Sequence, residues 1–148
     1  MGESSGTTST QRVGRLVAPG FFLAAAAPVT YLTVDHSSPA LMDAAGAAAV
    51  WKTEVPQATA LRLSKLYPPS RYGFVSQVEG GFNDAKICVV TARAMLVPRS
   101  GKTLGFAPKQ SAMAFDAQPN ATAQQCKDLA SAKLKEAIGS VLSGLVKK

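Results

Sequence analysis

The chain has 148 residues, 47% of them hydrophobic and 17% charged, and its 16 Lys and Arg against 9 Asp and Glu leave a formal net charge of +7. That length holds one domain with a modest core, and a charged fraction below the globular norm of about 25% argues against a disordered acidic or basic tail. Two cysteines are too few for a zinc cluster or a disulfide-dense scaffold, and a single histidine, His36, excludes any centre that needs two imidazoles.

Residues 1–11, MGESSGTTSTQ, are small and polar without periodicity and read as a disordered lead. Arg12 and Arg15 then precede an uncharged run of 19 residues, Leu16 to Val34, about the length of a membrane-crossing helix. Basic residues before the run and Asp35 after it place the N-terminus inside and the remainder outside. Three readings compete. A signal peptide could be cleaved at the small-residue patterns Ala45-Gly46-Ala47 or Ala47-Ala48-Ala49. The run could stay as a membrane anchor. Or it could be a buried strand-and-turn segment, which Pro19, Gly20 and Pro28 favour by weakening a continuous helix. Export is the leading reading, which makes the protein periplasmic or anchored facing the periplasm.

The cysteines bear on that reading, because thiols of an exported domain pair whereas those of a reduced cytosol stay free. Cys88 lies in KICVVTARAML, where Cys88, Val90, Ala92, Ala94 and Leu96 share one strand face. Cys126 opens a helical stripe of Cys126, Ala130, Leu134, Ala137, Ile138, Val141, Leu142 and Leu145. Both sulfurs therefore point into the space between that strand and that helix. A Cys88–Cys126 bridge closing about 38 residues is worth roughly 4 kcal/mol on the chain-entropy model; two reduced core cysteines are the alternative.

In chain order, Ser37-Ser38-Pro39 reads as a helix start leading into an Ala-rich linker or short helix over 36–56. Gln57–Tyr67 reads as a helix ended by Pro68-Pro69. Three strands follow: Tyr72–Val78, then Lys86–Val97 after a turn at Glu79–Asp84, then Thr103–Phe115 after a hairpin turn at Arg99–Lys102. Pro108 predicts a break in the last of these. Thr122-Ala123-Gln124-Gln125 fits a capping box and opens a helix to the C-terminus. The expected division is a lead plus export segment over 1–35, the linker over 36–56, and an α+β domain over 57–148. That domain is a three-stranded antiparallel meander with helices on one face, closed by a C-terminal amphipathic helix. In outline it resembles small periplasmic accessory proteins of Gram-negative envelopes over residues 57–146, a likeness of architecture that no motif carries.

Candidate chemistry is sparse. The GKT at Gly101–Thr103 lacks the leading glycine of a phosphate loop, because position 96 is Leu96, and it joins strand to strand. His36 stands alone in a polar stretch, and Glu79, Asp84 and Asp116 are ordinary turn and strand-end acids. No cofactor, metal or catalytic group is expected. From residue 98 onward eight basic residues face three acidic ones, with Lys127, Lys133, Lys135, Lys147 and Lys148 on the last helix. Only Phe106 and Phe115 could stack on bases there, so nucleic acid is a minor alternative. The leading expectation is a non-enzymatic accessory or assembly subunit. It would bind a protein partner, or another copy of itself, through the sheet face carrying Ile87, Val89, Met95 and Val97. A small carrier of lipid or acidic ligands, using the space between sheet and helices, is the second.

Overall fold

Residues 28–105 and 107–146 are described by a computed structural model and form an α+β domain. The elements are β1 (Leu32–Asp35), α1 (Ala44–Glu54), α2 (Gln57–Ser64), β2 (Tyr72–Phe82), β3 (Ile87–Ser100), β4 (Thr103–Leu104), β5 (Gln110–Pro119) and α3 (Ala123–Val146). The sheet is mixed rather than a three-stranded meander. Antiparallel β2, β3 and β5 are joined at one edge by β1, which runs parallel to β2, while β4 pairs with the end of β3. A parallel neighbour needs a crossover, and α1 and α2 supply it between β1 and β2.

The segment from Pro28 to Glu54, kept outside the domain on sequence grounds, therefore belongs to its core. Tyr31, Leu41, Met42, Ala47, Val50 and Trp51 are all buried. A membrane-crossing helix over the whole of Leu16–Val34 is overturned, since Leu32–Val34 lies in β1; residues 16–27 fall outside the described residues. Among the described residues no helix is long and apolar enough to cross a membrane. The helix expected from Ser38-Pro39 starts later. The backbone amides of His36 and Ser38 still donate to the Ser76 and Val78 carbonyls of β2, so the chain is extended there. A turn on the Ser38 carbonyl follows, and Asp43 caps α1 by accepting from the Gly46 amide at 2.6 Å.

Between β2 and β3 the turn sits at Asn83–Lys86, not at Glu79–Asp84. Asn83 Oδ1 accepts from the amides of Ala85 and Ile87, and β2 pairs with β3 through to Phe82. Gly80 makes this pairing possible: its φ of +130° is open to glycine, and a Cβ there would run into the Val89 carbonyl. The break expected at Pro108 is present, since residues 105–109 separate β4 from β5.

α3 packs across β3 and β5, with α1 beside it, and the capping box closes as expected. Thr122 Oγ1 accepts from the Gln125 amide at 3.0 Å, and Gln125 Oε1 accepts from the Thr122 amide at 2.8 Å. Of the predicted stripe all but Leu142 are fully buried. Ala92 and Ala94 of β3, with Ala112 and Ala114 beside them on β5, give α3 a floor of small side chains to lie on. The Cys88–Cys126 disulfide ties the start of α3 to the start of β3, with Cα atoms 5.7 Å apart.

Candidate functional site

Alternation in β3 sends Cys88, Val90, Ala92, Ala94 and Leu96 towards the helices and Ile87, Val89, Met95 and Val97 to the opposite face. The β3–β5 register sets Met113 beside Arg93 and Phe115 beside Thr91 on that same opposite face. Phe115 is 73% exposed and Met113 55%. Ile87, Val89 and Met95 are half-buried around them. Val97 is only 2% exposed and drops out of the accessible surface. Its neighbour across the strands is Gly73, and a Cβ on Gly73 would collide with Leu104, so β4 folds over this corner. What remains is a face that no helix of the described residues covers, with Met113 and Phe115 exposed on β5 and polar Thr91, Arg93, Gln77 and Glu79 interspersed with the half-buried Ile87, Val89 and Met95.

Neither Met113 nor Phe115 was placed on the uncovered sheet face from the sequence, Phe115 having been considered only as a base-stacking aromatic. Their signal is the alternation Ala112, Met113, Ala114, Phe115, which on size alone reads as the large residues facing inward. The close approach of α3 reverses that assignment, since only the alanines fit beneath it.

The basic residues do not form one field. Lys127 and Lys135 are exposed, but Asp128 and Glu136 intersperse them. Lys133 donates to Glu136 at 2.6 Å and lies 4.0 Å from Asp116, and the hydrogen bond to Glu136 holds its ammonium above the usual lysine value. Lys147 and Lys148 lie outside the described residues.

The acids and His36 do not converge either. Glu79 faces the uncovered side of the sheet and Asp116, opposite Val90, the helix side. Exposed His36 stands beside Asp35, whose Oδ1 accepts from the hydroxyls of Ser37 and Ser76 at 2.7 Å each. Ser37 Oγ in turn accepts from the Val78 amide. This chain of bonds staples the end of β1 to β2, and it leaves no hydroxyl poised for attack. Both cysteines are oxidised, and no cluster of metal-ligating side chains occurs among the described residues.

A cavity of about 290 Å³ lies where β1, α1 and α2 meet, with Tyr31, Trp51, Val55, Ala60 and Phe74 among its walls and Lys52 at its edge. The Gln57 amide holds one side by bonding both the N–H and the C=O of Val29. The Tyr31 hydroxyl donates to the Tyr67 carbonyl at 2.6 Å, and burial pushes its pKa up to about 12. The fold thus favours the neutral phenol. That stabilisation is full below about pH 10, where an unfolded tyrosine is neutral too, and is lost as pH climbs towards 12. Unfolding midpoints across this window should fall more steeply for the wild type than for Tyr31→Phe; equal slopes would clear Tyr31 of the effect.

No protein-family model matches the chain, and a search of curated proteins finds no significant match.

Proposed function

We propose that the chain is an exported, non-enzymatic accessory or assembly subunit that binds a protein partner, or a second copy of itself, through the uncovered face of its sheet. The observation that carries this reading is the exposure of Phe115 and Met113, two large apolar side chains on one face of β5, bordered diagonally by the half-buried Val89 and Met95. Large apolar side chains left exposed together on a sheet and rimmed by polar ones, as Phe115 and Met113 are by Thr91 and Arg93, mark interaction sites. Among the described residues β5 is also an edge strand, paired only with β3, so a partner strand could extend the sheet there. Export is supported by the Cys88–Cys126 disulfide, a bond that persists in oxidising compartments. The non-enzymatic part rests on the dispersal of the acids and of the single histidine.

Site-specific photo-crosslinking in the native host tests the reading. A photoreactive residue in place of Phe115 should give one discrete adduct, whose mass tells a dimer from a heterologous partner. The same residue in place of Lys127, exposed on the second turn of α3, should give none. Absence of an adduct from position 115, or equal adducts from both positions, would remove the sheet face as the binding surface.

A further inference from the structure

The cavity between β1, α1 and α2 shares no residue with the sheet face, and its chemistry differs. Its walls are the rings of Tyr31, Trp51 and Phe74 with aliphatic side chains between them. At about 290 Å³ it lies at the small end of ligand pockets. At roughly 30 Å³ per non-hydrogen atom, the share of a water molecule in the liquid, that is room for about ten such atoms. Among the described residues the charge at its edge is unopposed: Lys52 is exposed there, no carboxylate of those residues lines the cavity, and the Gln57 amide is already committed to Val29.

We propose that this cavity binds a medium-chain aliphatic carboxylate, its tail against Trp51 and Phe74 and its carboxylate at the Lys52 ammonium. An apolar tail of eight or so carbons fits the volume, and a single anionic head matches Lys52, the one cation that lines the cavity among the described residues. A bare hydrocarbon would leave Lys52 without a role. A polar metabolite would leave unpaired groups against the aromatic walls.

Trp51 is the only tryptophan in the chain, so its emission reports on the cavity directly. The full chain is titrated with octanoate and, separately, with octanol. Octanoate should shift the emission saturably. Lys52→Glu should weaken octanoate about tenfold while moving octanol by less than about twofold, the signature of a lost charge contact. Ala48→Phe, at an exposed position of α1 on the cavity wall, should block both ligands with the circular dichroism unchanged. An emission indifferent to octanoate overturns the proposal, and so would occupation of the cavity by the chain's own apolar residues 16–27, which gives that same result. Equal octanoate affinity in the wild type and Lys52→Glu overturns the carboxylate assignment.

Discussion

Reducing the Cys88–Cys126 disulfide should lower the free energy of unfolding by about 4 kcal/mol, and replacing both cysteines by alanine should lower it by more. The bridge spans 38 residues of sequence and encloses β4, β5 and nearly all of β3. Opening a loop of this size releases roughly 4 kcal/mol of chain entropy in the unfolded state. Both cysteines are fully buried, so the alanine variant also gives up sulfur contacts that the reduced protein keeps. Comparing reduced wild type with the double variant separates the two contributions. Domains of this size have about 5–15 kcal/mol in total, so the reduced protein should melt some 10–20 °C lower and stand close to unfolding at growth temperature. Urea midpoints of the oxidised, reduced and double-alanine proteins measure the effect. A loss under about 1 kcal/mol on reduction would mean that β3 and α3 are held by packing alone, and the case for an oxidising compartment would weaken with it.

This link was the most legible part of the fold, for a physical reason. A 24-residue helix with an unbroken apolar stripe and a capping box states its own orientation, and a β-branched strand with strict alternation states which residues share a side. Cys88 and Cys126 sit on those two surfaces, so their meeting followed from two local periods. β1 was not legible. All of β1 but Asp35 is the tail of a uniformly uncharged run, and such a run has no period by which to separate a buried strand from a membrane segment. The sheet face was read on β3 but not on β5, because alternation says which residues share a face and not which face is covered. That choice depends on how closely α3 approaches, a property of the assembled layers. The cavity was the least legible feature: Val29, Trp51, Gln57 and Phe74 are brought together only by the crossover from β1 through α1 and α2 to β2, and no spacing in the sequence announces it.

Two phenylalanines on opposite faces of the sheet, Phe74 and Phe115, turn this asymmetry into a second large effect. Phe74→Ala should cost about 3–5 kcal/mol, whereas Phe115→Ala should stay within about 0.5 kcal/mol of the wild type. Phe74 is 1% exposed on the helix side of β2, its ring centroid 5.1 Å from that of Tyr31 and 4.7 Å from that of Trp51. Removing it takes away a buried ring and two aromatic contacts, and it leaves a void that joins the existing cavity. Phe115 stands on the other side of the same sheet and touches mostly solvent, so its truncation removes little that folding buried. Urea unfolding of the two variants reads the stability difference. The photo-crosslinking yield from a reactive residue at position 113 reads the complementary one, falling with Phe115→Ala and holding with Phe74→Ala wherever that variant is folded. Were Phe115→Ala to destabilise the domain by more than about 2 kcal/mol, its ring would be covered within the folded chain, and the sheet face would be part of the core instead of a surface for a partner.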